Sequence, residues 1–279
     1  MLKGIHILST APSMIPGQDY TPSCLEVSSL ILSALLWIRN CGSLRLYTDR
    51  PFYSFLVEND LDSLWDDGID ITTIEAIPKT INQQVFWAAA KLFALKDVKA
   101  PIAMVDNDLF FWRDISEDIA VGDITVLHRE NLVECYVPKE LLGIPEGYSF
   151  NPGWDWEERP CNTAFAYFPE EWFKQVYTDE AIRFMTENPG RDAKPSSQMV
   201  FAEQRILAMC SKLNNLRVGT LVEEPFQENN DCFTHLWGAK ARARTNRRDM
   251  NVLLSAIRGK INEIDPVYYV KINRLWPNN

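Results

Sequence analysis

The chain has 279 residues, 46% of them hydrophobic, so it can bury a full core as one large domain or two small ones. Its 24% charged fraction is ordinary for a water-soluble protein, and no apolar run approaches the length of a membrane span. A net charge of −10 argues against a nucleic-acid-binding protein, and the opening Met1-Leu-Lys-Gly-Ile lacks the build of an export signal, so a cytoplasmic location is expected.

The charge is unevenly spread. From Leu236 onward nine Lys and Arg stand against three Asp and Glu. Such a basic segment on an acidic body can meet phosphate or anionic lipid, and its plain reading is a solvated helix face. Six cysteines (Cys24, Cys41, Cys135, Cys161, Cys210, Cys232) are scattered with no Cys-x-x-Cys pair. They are expected as buried thiols rather than a zinc site or a disulfide framework.

In chain order, residues 4–10 predict a first strand, ended by Ala11-Pro-Ser13 and a polar loop to Pro22. Apolar positions at Leu25, Val27, Leu30, Ile31, Ala34, Leu35 and Ile38 follow helical spacing over residues 24–40, and Cys41-Gly42 stops that helix. Residues 44–49 predict a second strand, after which Pro51 opens a short helix toward Asn59. Residues 69–74 alternate as a third strand, and residues 82–97 predict a helix with Val85, Ala88, Ala89, Leu92 and Leu95 inward. Pro101 then opens a buried fourth strand, residues 102–105. This β-α-β-α-β-α-β alternation implies a parallel sheet covered on both faces, with ligands gathering at the carboxyl ends of the strands.

The second half is less regular. Residues 123–128 predict a fifth strand, residues 131–160 an irregular section, and residues 161–168 a further strand. Helices are expected from Pro169 through Met185, over residues 196–213 and over residues 250–264. Residues 216–222 predict a last strand, and residues 232–238 a short apolar segment around His235. There is no internal repeat, no Gly-x-Gly-x-x-Gly after the first strand and no P-loop.

Two stretches carry chemistry. The fourth strand stops at Asp106-Asn107-Asp108 before Leu109-Phe-Phe111 resumes the apolar run. Two carboxylates at the end of a buried strand need a cation, a donor or water, and a divalent ion with oxygen ligands would offset their burial. An Asp- and Asn-rich turn is the plain alternative. The second stretch is His235-Leu-Trp-Gly-Ala-Lys240, in which Gly238 permits close backbone approach and Lys240 offers a phosphate-pairing charge. A hydrogen-bonded core histidine is its plain alternative. Ser9, Thr10 and Asp49 fall at predicted strand ends on the ligand edge, where they are expected to line a binding site, the nucleoside pocket if the ligand is a nucleotide-sugar. Trp154 and Trp156, among glycines, are read either as a stacking loop over the site or as core or lid packing. Glu203 is read either as a general base or as a structural helix carboxylate.

The early βαβ half, the Asp106-x-Asp108 strand end with aromatics after it, and the late His235-x-x-Gly238-x-Lys240 resemble GT-A-type nucleotide-sugar-dependent glycosyltransferases. The closest group in motif is the retaining, glycogenin- and galactosyltransferase-like one. The resemblance implies one α/β domain over residues 1–279, a Rossmann-like mostly parallel sheet with a nucleotide-binding half (1–114) and a mixed acceptor-side half (115–279). It implies Mn²⁺ or Mg²⁺ held by Asp106, Asp108 and His235, with Asn107 in the same turn. Lys240 would contact the diphosphate and Lys91 would project toward the nucleotide. Asn162 and Gln204, the latter in an acidic-Gln pair with Glu203, would line the acceptor side. The implied reaction is hexosyl transfer from a UDP-sugar to a hydroxyl acceptor, of the kind used in surface polysaccharide synthesis, with peripheral membrane contact through the basic C-terminal segment. Two alternatives stand beside it. Nucleotidyltransferases share the sheet and the metal logic but carry a basic Gly-rich loop after the first strand, where residues 11–17 have no Lys or Arg. The other alternative is a non-catalytic binding module on the same scaffold.

Overall fold

The computed structural model describes residues 1–14, 20–119, 124–188, 196–223 and 231–277. The first half runs β1 (Leu2–Leu8), α1 (Cys24–Asn40), β2 (Gly42–Thr48), α2 (Arg50–Glu58), β3 (Ile69–Asp70), α3 (Thr72–Glu75), α4 (Ala89–Asp97) and β4 (Ile102–Val105). The second continues with β5 (Leu109–Phe111), β6 (Ile124–Val126), β7 (Phe165–Phe168), α5 (Glu171–Glu187), α6 (Ser197–Val200), a π-helical turn (Phe201–Arg205), α7 (Ile206–Leu213) and β8 (Val218–Thr220). It ends with β9 (Phe233–His235), α8 (Trp237–Thr245), α9 (Arg247–Ile264) and α10 (Pro266–Leu275).

Seven strands form one sheet in the order β3-β2-β1-β4-β7-β6-β8, and β5 with β9 makes a separate two-stranded ribbon. Neighbours are parallel except where β7 meets β4 and β6. The expected architecture, a mostly parallel α/β sheet with a mixed second half, is what the chain adopts. Alternation along β4 explains the two-sided cover: Ile102 and Met104 join the core beneath α4, α5 and α7, while Ala103 and Val105 join the core beneath α1, α9 and α10.

Local chemistry sets the element ends. Ser23 and Glu26 form a reciprocal capping box that starts α1 where its apolar periodicity begins. The third strand is shorter than its alternation suggested. The Asp70 carboxylate accepts the Thr72 and Thr73 amides and the Thr72 hydroxyl, which turns the backbone into α3 instead. The helix expected over residues 82–97 begins only at Ala89. Before it, the Asn82 carbonyl accepts from both Val85 and Phe86, and the Asn82 side chain caps Gln84, closing turns rather than a helix. Only the last four residues of the strand expected over 161–168 enter the sheet; the start of the fifth strand and the residues after Asn188 lie outside the described residues.

Helices α8 and α10 were not anticipated. Arginine-rich and mixed sequences, each opened by an element that interrupts apolar periodicity, mask them. The Asp265 side chain caps Val267 to start α10 behind Pro266.

A packing constraint sits beneath β1. A Cβ built on Gly4 would lie 2.6 Å from Trp37, whose ring is fully buried, packed against Phe111, and tied by its indole N–H to the Ser43 carbonyl at 3.0 Å. Because that ring has nowhere to move, Gly4→Ala is expected to cost about 1–3 kcal/mol through overpacking, read as a lowered urea midpoint with an unchanged slope.

Candidate functional site

Parallel β1, β2 and β4 bring their carboxyl ends to one edge, and the polar residues expected there do meet. Asp49 Oδ2 accepts the Ser9 hydroxyl (3.2 Å), the Thr10 amide (2.6 Å) and the Thr10 hydroxyl (3.0 Å). Its other oxygen is buried without a partner among the described residues. A carboxylate so placed has one oxygen spent on organising the loop and one left as a buried acceptor, a feature that in native proteins calls for a ligand or water.

The Asp106-Asn107-Asp108 turn is held from several sides. The Asp106 amide donates to the Ala164 carbonyl (2.8 Å), and the Asn107 side-chain amide donates to the Ile7 carbonyl (2.8 Å). Beneath it, the Ser33 hydroxyl of α1 donates to the Leu109 carbonyl at 2.7 Å and stands 3.1 Å from His6 Nε2. The hydroxyl has one proton, so the imidazole donates to Ser33 in turn. His6 is fully buried, and burial lowers its pKa to about 3, which keeps it neutral.

The chain then resumes as β5, and β5 is what recruits the distant histidine. It pairs antiparallel with β9 in a register that sets Leu109 opposite His235, and the Leu236 amide donates to the Asp108 carbonyl (3.1 Å). Helix α8 starts directly afterwards and carries Lys240 back toward the turn. His235 Nε2 lies 3.7 Å from Asp108 Oδ1 and 3.9 Å from Asp106 Oδ2. Lys91 Nζ holds the other Asp106 oxygen at 2.5 Å, and Lys240 Nζ the other Asp108 oxygen at 2.8 Å. Each carboxylate is thus pinned by a lysine through one oxygen and turns the second toward the imidazole. Although burial opposes ionisation of Asp108, the facing His235 and Lys240 outweigh it and hold its carboxyl well below the usual range. Burial likewise works against the Lys91 charge, and the Asp106 and Glu203 carboxylates overcome it and raise its pKa.

The ligand atoms of Asp106, Asp108 and His235 lie within 4.8 Å of one another. Two carboxylate oxygens and one imidazole nitrogen suit Mn²⁺ or Mg²⁺. The two His235 separations match the roughly 3–4 Å between ligand atoms around an octahedral ion with bonds of about 2.1 Å. The residues present therefore fit the group.

The remaining expected residues divide. Glu203, 5% exposed, sits in the π-helical turn rather than in a regular helix. It ion-pairs with Lys91 at 2.9 Å, so a single ammonium bridges Glu203 and Asp106. The turn frees two carbonyls: that of Glu203 accepts the Tyr177 hydroxyl (2.6 Å), and that of Gln204 accepts the Cys161 amide (3.2 Å). Gln204 Oε1 accepts the Tyr136 hydroxyl at 2.5 Å, and Asn162 Nδ2 donates to Glu130 Oε1 at 2.8 Å. Trp154 does not reach the edge. It is 5% exposed and packed on Phe150 and Phe201, so it belongs to the core beneath the irregular section and has no free face for a sugar.

Sequence reasoning passed over His6, Ser33, His128, Glu130, Tyr136 and Arg244. A signal existed for the first and third: the chain has only three histidines, and each ends up in or beneath this edge. Beside the centre, a cleft of about 490 Å³ is lined by Ser13, Tyr20, Glu26, Lys240, Arg244 and Met250 among others. Among the described residues Arg244 has no carboxylate partner, so its charge faces the cleft unpaired.

No family model matches the chain, and no curated protein does. Among solved structures, it is similar to mouse xyloside xylosyltransferase 1 in its apo form, at 12% identity and a TM-score of 0.41, over 78% of this chain and 84% of that one. It is also similar to the PaToxG glycosyltransferase, at 11% identity and a TM-score of 0.39, over 98% of this chain and 83% of that one. No helix among the described residues is long and apolar enough to cross a membrane.

The neutral, buried His6 gives this region a pH signature. Its folded pKa of about 3 lies below the ordinary 6.5, so the unfolded chain takes up the proton first. Stability from this residue is complete above about pH 7 and falls as pH drops toward 3. Between pH 7.5 and pH 5 the loss is about 2 kcal/mol. Urea unfolding at the two pH values should show that dependence shrink by about this amount in His6→Asn.

Proposed function

We propose that this protein transfers a sugar from a nucleotide-diphosphate donor, a UDP-sugar, to an acceptor hydroxyl, with Mn²⁺ or Mg²⁺ held by Asp106, Asp108 and His235. The observation that carries the reading is the paired arrangement of the carboxylates, each fixed by a lysine on one oxygen and turned toward His235 with the other. A bound divalent ion there supplies charge neutralisation for a leaving diphosphate. The rest of the work falls to the chain. Lys240, on the first turn of α8, exchanges its Asp108 contact for a phosphate oxygen, and Arg244, one turn further, adds a second cation in the same cleft. The unpaired Asp49 oxygen supports a donor N–H or hydroxyl at the nucleoside end, with Ser9 and Thr10 keeping that carboxylate in place. Lys91 and Asn107 complete the donor side, and Asn162 and Gln204 the acceptor side. The exposed basic face of α8 and α9 supports peripheral contact with an anionic membrane, where an acceptor for surface polysaccharide would lie.

Calorimetric titration with UDP- and GDP-sugars, with and without Mn²⁺, tests the reading. Binding of at least one UDP-sugar should require Mn²⁺, and Asp108→Ala or His235→Ala should weaken Mn²⁺ at least tenfold. Donor binding that survives both substitutions unchanged would remove the metal assignment, and no binding of any nucleotide-sugar would remove the transferase.

A further inference from the structure

Asp106, Asp108 and Glu203 are each ion-paired to a lysine, Lys91 or Lys240. Glu130, just past the carboxyl end of β6, is different. Its carboxylate has no lysine or arginine partner among the described residues, Arg159 donating only to its backbone carbonyl (3.2 Å), and its side chain is 30% exposed. One oxygen, Oε1, accepts the Asn162 side-chain amide at 2.8 Å and lies 3.7 Å from His128 Nε2. The other oxygen has no partner among the described residues.

The sheet order fixes where this carboxylate stands. Along the edge come Asp49 after β2, Ser9 and Thr10 after β1, Asp106 after β4, Asn162 ahead of β7, then His128 and Glu130 after β6. Hydrogen bonds tie the last part of that row together. Ala164, which accepts the Asp106 amide, donates its own amide to Asn162 Oδ1, and Asn162 Nδ2 reaches Glu130. The Asn162 amide also donates to the His128 carbonyl (2.9 Å). A donor with its nucleoside near Asp49 and its diphosphate near Asp108 and Lys240 would thus leave its sugar between the centre and Glu130, with Tyr136 and Gln204 close by.

We propose that Glu130 is the acceptor-side general base, aimed by Asn162 and backed by His128. The proposal rests on the glycosyl-transfer reading above and deepens it. In one displacement the acceptor oxygen bonds to the anomeric carbon, and the bond from that carbon to the diphosphate oxygen breaks with its electron pair leaving on the diphosphate. The acceptor proton passes to the free oxygen of Glu130. Attack from the face opposite the leaving group inverts the anomeric centre, in place of the retention that the motif resemblance implies. Glu203, buried and bound to Lys91, serves as a positioning residue for Asp106 rather than as the base.

The test uses the full chain with Mn²⁺ and a panel of UDP-glucose, UDP-galactose, UDP-N-acetylglucosamine and UDP-xylose, with water and azide as acceptors. Glu130→Gln should lower kcat for hydrolysis roughly 10²- to 10⁴-fold with donor KM within about twofold. Azide needs no deprotonation, so glycosyl azide should form at similar rates in both proteins, and the first-formed sugar should be the inverted anomer. Glu130→Asp should fall between the two. An unchanged kcat, a retained anomer, or a loss confined to KM or Mn²⁺ affinity would overturn the proposal, the last by assigning Glu130 a structural role. If the wild-type chain binds these donors yet azide and water both leave them intact, the Glu130 proposal fails; if it binds none, the parent reading fails and Glu130 goes with it.

Discussion

The arrangement of this molecule depends on compensating two carboxylates where a buried strand comes to its end. Asp108 is only 9% exposed, and Asp106 follows four fully covered residues of β4. Uncompensated carboxylates there would be costly. Compensation comes from three separate parts of the chain: α4 delivers Lys91, β9 delivers His235, and α8 delivers Lys240. None of the three is adjacent to the turn in sequence. The fold is therefore obliged to bring α4 and the β9–α8 segment to the same edge, and the β5–β9 ribbon is the device that does so for the second.

Below the turn, the supports are neutral. Ser33, backed by the uncharged His6, holds the Leu109 carbonyl, and Asn107 grips β1 through Ile7. Hydrogen bonding without charge supports the core side of the turn, and the charged partners, the buried Glu203–Lys91 pair included, reach it through its carboxylates. That division lets the carboxylates remain fixed without a buried ion beneath them, and it leaves both of their inward-facing oxygens available to something placed between them and His235.

Much of this was legible in the sequence where one element answers to one pattern. The first strand, α1, the second strand, α2 and the fourth strand each pair a clean apolar run with a distinct stop, and the Asp-Asn-Asp break in β4 announced the edge. Legibility failed where a side chain overruled the pattern. Asp70 ended a strand that alternates well, and Asn82 unwound the front of a helix that is apolar enough to continue. It failed again at the π-helical turn, because Glu203 and Gln204 look like ordinary helix residues until Tyr177 and Cys161 claim their carbonyls. Glu130 carries no local signal. It becomes distinctive only by comparison with its neighbours, once Asp106, Asp108 and Glu203 have each been matched with a lysine.

The β5–β9 ribbon has a further meaning for how the protein comes into being. Residues 106–108 leave the ribosome long before residues 235–240, and the β-ribbon that joins them cannot form until the later segment is free. During synthesis the two aspartates emerge beside Lys91 alone, so the nascent chain carries an unbalanced acidic edge for more than a hundred residues. The sheet can assemble meanwhile, strand by strand. The polar centre cannot, and it becomes complete only once residues 235–240 have emerged, so a product truncated or stalled before them would be a folded sheet with an unfinished site.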